Sequence, residues 1–289
     1  MLEYSGTPIE EIQDHVLDAS GVRLLIKRED LNHPFVSGNK WWKLKYNLKE
    51  AAAQNADTLI TYGGAFSNHI RATAAAAKEL GFKSIGLIRG EETLPLNAVL
   101  TFARSQGMDL RYISRSAYRT KSFMHENLKG FGKCYLIPEG GTNQLAVKGV
   151  KEFAESLTIP FDYVCCAVGT GGTLAGLIEG TSSEKKIVGF PVLKGAQFLV
   201  DDVKRLIVGN ENSNWNLMFD YHFGGYAKET PQLRKFLNEF KSLHTIPLEK
   251  IYTGKMMAGI YDLLRKGYFD RGATILAIHT GGLYARKSD

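Results

Sequence analysis

Tyr163-Val164-Cys165-Cys166-Ala167-Val168 runs straight into Gly169-Thr170-Gly171-Gly172-Thr173. The first six residues are apolar or aromatic throughout, the pattern of a short strand buried on both faces. Glycines then permit a tight turn, and a helix is expected over residues 173–180. The same order recurs on both sides of this stretch. Strands are expected at residues 23–28, 58–62, 83–88, 109–113, 133–137, 186–190 and 274–278. Helices are expected at 40–54, 68–80, 95–106, 117–129, 145–157, 196–208, 232–243 and 255–266. Such alternation implies βαβ units, hence an α/β fold with parallel-rich sheets and two lobes around a cleft.

Composition narrows the function classes. The 289 residues suffice for one large domain or two lobes, and 44% hydrophobic with 23% charged residues is ordinary for a soluble globular chain. The net charge of +6 is mild, with no basic stripe interleaved with aromatics, so no nucleic-acid partner is expected. Cys165 and Cys166 read as buried structural thiols, and with Cys134 they suggest neither a metal site nor a disulfide framework. Residues 1–11 lack a basic region followed by an apolar one, and no apolar run reaches membrane-spanning length. The expectation is a cytoplasmic protein without a membrane partner.

Three turns carry candidate chemistry. Gly169 to Thr173 follows a strand and opens a helix, where backbone amides and the Thr170 and Thr173 hydroxyls suit an anion. A dinucleotide fingerprint would need glycine at Leu174, and a nucleoside-triphosphate loop would need a lysine after the glycines. A monophosphate cradle survives. Gly63-Gly64-Ala65-Phe66-Ser67-Asn68-His69 places Ser67 as a helix N-cap whose amides suit a carboxylate. It is not a nucleophile elbow, because Ala65 and His69 stand where glycines are required. Tyr252-Thr253-Gly254-Lys255 and His279-Thr280-Gly281-Gly282 offer polar groups at two further turns.

Lys40, in Ser37-Gly38-Asn39-Lys40-Trp41-Trp42-Lys43-Leu44, lies in the first turn of a helix, where the positive end of the dipole disfavours an ammonium. A neutral amine is what a Schiff base with an aldehyde requires. Most lysines are solvated surface charges, so Lys40 gains meaning only with its neighbours. An aldehyde cofactor with one phosphate needs an amine, a phosphate cradle, a partner for its ring nitrogen and a separate carboxylate pocket. Lys40, the 169–173 turn, Thr253 and the Ser67 turn supply one candidate each. That ligand is pyridoxal 5′-phosphate.

The motifs together resemble the fold-type II pyridoxal-phosphate enzymes, with their tryptophan synthase β-like architecture. Within these they resemble the 1-aminocyclopropane-1-carboxylate deaminase and D-cysteine desulfhydrase family. The matching stretches are Lys27-Arg28-Glu29-Asp30-Leu31, Gly38-Asn39-Lys40, Lys43-Leu44, Gly63-Gly64, Ser67-Asn68 with Arg71, Gly169 to Thr173, Gly225-Tyr226 and Tyr252 to Lys255. The resemblance implies Lys40 as the Schiff-base lysine and Gly169, Thr170, Gly171, Gly172 and Thr173 as the phosphate site. It implies Asn68 at the cofactor's ring hydroxyl, Ser67 at the substrate carboxylate, and Tyr226 and Tyr252 near the substrate. It also implies a homodimer, with a large lobe of residues 1–44 plus 138–289 and a small lobe of 45–137.

Within the family, deaminases carry a glutamate where Thr253 stands, which keeps the ring nitrogen protonated. A neutral hydroxyl there weakens the electron sink yet suffices for β-elimination, so Thr253 favours a D-cysteine desulfhydrase-like reaction giving pyruvate, ammonia and sulfide. The alternatives are cyclopropane opening to 2-oxobutanoate and ammonia, or a non-catalytic amino-acid sensor. His69 stands where glutamine is expected, Trp41 and Trp42 replace smaller and basic residues, and the chain is short for the family. These departures bear on the identity of the small amino-acid substrate, with Ser67, Asn68, His69 and Tyr226 as its candidate contacts.

Overall fold

The computed structural model describes residues 2–120, 132–208 and 214–283. Ten strands occur among them, labelled here in chain order: β1 (Ile9–Ile12), β2 (Arg23–Lys27), β3 (Thr58–Gly64), β4 (Lys83–Arg89), β5 (Met108–Ile113), β6 (Cys134–Ile137), β7 (Tyr163–Val168), β8 (Lys186–Pro191), β9 (Trp215–Leu217) and β10 (Thr274–Ile278). They form a six-stranded sheet ordered β1-β2-β10-β7-β8-β9 and a four-stranded sheet ordered β5-β4-β3-β6. Every pairing is parallel except β1 with β2. The alternation legible in the sequence is therefore the architecture.

Buried runs make this arrangement stable. Along β7, Val164 and Cys166 pack on one side of the large sheet while Tyr163 and Cys165 pack on the other. Period-two alternation thus feeds two cores from one strand, each covered by helices. The Asn39–Ala53 and Gln144–Glu155 helices pack so closely that a Cβ at Gly149 would come within 2.1 Å of the Trp42 carbonyl oxygen. A lobe boundary at residues 44–45 falls inside the Asn39–Ala53 helix, whose Trp41, Leu44 and Leu48 share one core with Ala72, Ala76 and Val147.

Differences from the sequence reading have local causes. β1 carries two glutamates within four residues, β9 is three residues long, and the His15–Ser20 helix has a single full turn of pattern, so none stands out by periodicity. The helix expected from residue 95 begins at Ala98, because Asn97 caps it through Val99 N and Leu100 N. Of the helix expected over 117–129, Arg115–Thr120 is observed and residues 121–129 lie outside the described residues. No helix among the described residues is long and apolar enough to cross a membrane.

Candidate active site

The pocket forms where the two sheets present the carboxyl ends of β3, β7 and β10 to the start of the Asn39–Ala53 helix. It is a narrow cleft, with about 50 Å³ open to a water-sized group. Its wall includes Lys40, Lys43, Ser67, Asn68, His69 and Thr280. Asn39, Gly140, Ala167 to Leu174 and Tyr252 complete it.

Lys40 is placed by the Lys27–Leu31 stretch behind it. Glu29 is buried and accepts hydrogen bonds from Tyr4, Thr7, Asn32 and the Trp42 indole. Trp42 is therefore part of the anchor, not an intrusion beside the lysine. Asn32 in turn accepts from Gly38 N at 3.0 Å. Gly38 has φ 71°, and a Cβ there would lie 1.9 Å from the Thr280 carbonyl oxygen, so the helix start docks directly on the end of β10. Lys40 Nζ donates to Asn39 Oδ1 at 2.8 Å, and Asn39 Nδ2 donates to Thr173 Oγ1 at 2.8 Å. Burial of the amino group pushes its pKa down to about 8, against an opposing pull from Glu249. The helix start positions the amine, and desolvation is what favours its neutral form.

Lys43 lies one turn further on the same helix face and donates to Thr142 Oγ1 at 2.8 Å. A Cβ at Gly172 would be 3.2 Å from Lys43 Nζ, so this amine overhangs the glycine turn. The Thr142 and Thr170 hydroxyls are hydrogen-bonded beneath it. The Gly172–Gly180 helix has Gly171 as its N-cap at φ 81°, with no side chain bonded to its first amides. Burial, then the charge of Lys40, push the Lys43 pKa well below its usual value. Open amides, a helix N-terminus and an overhanging amine that an anion would help to protonate fit a phosphate monoester, and Lys40 beside them fits its aldehyde.

Ser67 caps the Asn68–Leu80 helix, accepting from Ile70 N at 3.4 Å. His69 is almost wholly buried, with Nε2 at 2.8 Å from Thr61 Oγ1. Thr61 spends its own proton on the Ile137 carbonyl oxygen at 2.9 Å, so His69 Nε2 carries the hydrogen and Nδ1 is an acceptor without a protein partner. Burial, then the charges of Lys40 and Lys43, hold the His69 pKa well below its usual value. Tyr252 lines the inner pocket, and its ring centroid is 6.0 Å from that of Tyr226. Tyr226 lies in the adjoining outer cleft with Arg89 and Glu139, and its hydroxyl donates to the Phe66 carbonyl oxygen at 3.2 Å. Burial raises the pKa of both phenols, keeping them protonated.

Thr253 is placed differently from the expectation. It is fully buried below the pocket wall, its hydroxyl donating to Glu249 Oε1 and accepting from Glu249 N, each at 3.2 Å. Glu249 also accepts from the amides of Ile251, Tyr252 and Thr253, so it caps the Thr253–Arg265 helix from four residues upstream. Thr280, two residues beyond β10, lines the pocket, whereas Thr253 is not in its wall. Lys43, Thr142 and Glu249 were not among the candidates read from sequence. Lys43 had a visible signal, three residues after Lys40; Thr142 and Glu249 had none, since their roles depend on long-range placement.

Comparison with known proteins gives the family. The family model described as "Pyridoxal-phosphate dependent enzyme" matches residues 1–281. A Pyrococcus abyssi protein, provisionally named a 1-aminocyclopropane-1-carboxylate deaminase, is 34% identical over 96% of this chain and 89% of its own. The bifunctional D-cysteine desulfhydrase/1-aminocyclopropane-1-carboxylate deaminase of Arabidopsis thaliana is 32% identical over 91% of this chain and 73% of its own. A crystal structure described as an ACC deaminase homologue superposes with TM-score 0.84 and 34% identity, covering 97% of this chain and 90% of its own.

Proposed function

The chain belongs to the pyridoxal-phosphate-dependent enzymes, within the 1-aminocyclopropane-1-carboxylate deaminase and D-cysteine desulfhydrase family, and from that premise we propose that it cleaves D-cysteine by β-elimination. It is a deaminating lyase; the D-thiol substrate is the finer reading. The observation that carries this reading is the inner pocket wall, which contains no aspartate or glutamate among the described residues. Thr280, two residues beyond β10, lines this wall and is the candidate partner for a ring nitrogen. Thr253 has its hydroxyl engaged by Glu249.

When bound, pyridoxal phosphate supplies an electron sink conjugated to the substrate α-carbon. Lys43, Thr170, Thr173 and the amides opening the Gly172–Gly180 helix would hold its phosphate. Asn68 is the candidate for its ring hydroxyl. Ser67 and the N-terminus of the Asn68–Leu80 helix hold the substrate carboxylate, a charge that end of a helix favours. Lys40, neutral at mildly alkaline pH, would take the α-proton, and Tyr226 and Tyr252, kept protonated by burial, are the candidate acids for the leaving group. With one water, D-cysteine yields pyruvate, ammonia and hydrogen sulfide. A weak sink suits this route, because the β-carbon–sulfur bond breaks as the proton leaves. Opening a cyclopropane, which has no α-hydrogen, demands more of the sink.

The test is a keto-acid assay with D-cysteine, L-cysteine and 1-aminocyclopropane-1-carboxylate side by side, on protein carrying its cofactor. Pyruvate from D-cysteine, with at least roughly tenfold lower turnover of the others, is the expected outcome. Release of 2-oxobutanoate from the cyclopropane at a comparable rate would overturn the substrate assignment. Amino-acid binding without any keto acid would favour the sensor reading.

A further inference from the structure

Lys255 is fully buried, yet the proposed chemistry gives it no part. Its Nζ donates to the carbonyl oxygens of His222 at 2.8 Å and of Gly225 at 2.7 Å. The segment it gathers is strained: Phe223, Gly224, Gly225 and Ala227 all have positive φ, at 47°, 90°, 109° and 54°. Two of these four are not glycine, and such conformations persist only where surrounding structure holds them. Within the turn, the Gly224 amide donates to His222 Nδ1 at 3.0 Å, and Lys228 N donates to the Gly225 carbonyl at 3.0 Å. Tyr226 stands at the crest, and its hydroxyl reaches the Phe66 carbonyl beside the Ser67 turn. The crest and Lys255 belong to the part of the chain that builds the large sheet, whereas Phe66 follows β3 of the small one.

We propose that Lys255 is a positioning residue, an internal ammonium that gathers the carbonyls of the 222–225 turn as a bound monovalent cation would, and so holds Tyr226 across the cleft. Each carbonyl also accepts a backbone amide, His222 from Gly225 N and Gly225 from Lys228 N, both at 3.0 Å, so the ammonium adds a second bond to each and ties the two carbonyls to one point. A side chain anchored in the first turn of the Thr253–Arg265 helix supplies that cation without dissociating. Glu249, at the start of the same helix, is the acidic group whose charge favours the ammonium, against the desolvation that opposes it. The consequence for substrate is positional: Lys255 touches no reacting atom, and acts through Tyr226. That consequence rests on the pocket assignment above; the loop-holding role does not.

Two variants and two small cations test this. In Lys255→Met, amide hydrogen exchange of residues 223–227 is expected to accelerate roughly tenfold or more, with exchange in β7 and β10 unchanged. In Lys255→Ala, ethylammonium at millimolar to molar concentration is expected to restore slow exchange in that turn, whereas tetramethylammonium, which has no N–H donor, does not. On the cofactor-loaded enzyme, the substrate KM should rise several-fold while kcat changes less, and ethylammonium should reverse the rise in Lys255→Ala. Wild-type exchange rates across 223–227 in Lys255→Met would overturn the proposal, as would equal rescue by both cations. If Lys255→Met does not fold, the ethylammonium series on Lys255→Ala decides alone. Faster exchange with ethylammonium rescue, in a protein that turns over no amino acid, would uphold the clamp and sink the functional reading instead.

Discussion

Lys40 and Lys43 sit three residues apart on one helix face, both with pKa values lowered by burial, and their tasks differ by what surrounds them. Lys40 faces open pocket and has a pKa near 8, so the amine gains nucleophilic character as pH rises through 8. Cofactor-loaded protein should show a band near ~420 nm that Lys40→Ala abolishes, and in cofactor-free protein the rate of reconstitution should climb between pH 7 and 9. Lys43 is committed to the glycine turn, so Lys43→Met should weaken pyridoxal phosphate binding by roughly tenfold or more while barely affecting binding of unphosphorylated pyridoxal. The two threonines make a paired test. Thr253→Val should cost about 1–2 kcal/mol in urea unfolding, through the lost bonds to Glu249, without moving the cofactor spectrum. Thr280→Val, in the pocket wall, should shift that spectrum with little loss of stability. A spectral shift in Thr253→Val alone would return the ring-nitrogen role to Thr253.

Glycine positions decide how the helices meet the sheets. Gly38 is the clearest case, since a Cβ there would overlap the Thr280 carbonyl and its φ of 71° is costly for any L side chain. Gly38→Ala should cost upward of about 3 kcal/mol, seen as a large fall in Tm, and should disturb Lys40 and Thr280 together. Gly81 also has positive φ, 77°, yet open space surrounds its Cβ direction, so Gly81→Ala should cost only about 1 kcal/mol. A comparable loss at both sites would show that backbone strain, rather than close packing, governs the first. Element boundaries were legible to within a few residues wherever a cap or a buried run marked them, as at Ser67 and along Tyr163–Val168. β1 and β9 were not, because a short edge strand is defined by the neighbour it pairs with, which no local pattern records.

Across the whole molecule, buried amines make stability depend on pH. Lys40 and Lys255 titrate near 8 when folded and near ~10.4 when unfolded, so between those values the unfolded chain binds more protons. Their charged burial is a cost below pH 8 that is relieved as pH rises toward 10. Tyr252 acts oppositely: its pKa is raised in the fold, so stability falls once free tyrosine ionises above ~10. Urea unfolding of cofactor-free protein should therefore show stability rising from pH 7.5 to 9.5, with a smaller rise in Lys255→Met. An unchanged slope in that variant would show that Lys255 is not a source of the dependence.

Sequence alone determined the parallel-rich α/β order, the glycine turn that opens a helix and the Ser67 cap, and it singled out Lys40 as the candidate amine. Each is a local matter of hydrophobic period, backbone freedom or helix-terminal chemistry, written within a dozen residues. Tertiary structure decided which threonine faces the pocket, which tautomer His69 adopts and why Lys255 is buried. Those depend on Glu249 reaching forward to cap a helix, on Thr61 spending its proton on β6, and on a turn 30 residues upstream of Lys255 aiming its carbonyls inward. A side chain's residue type states what it can donate or accept; only the fold states which partner has already claimed it.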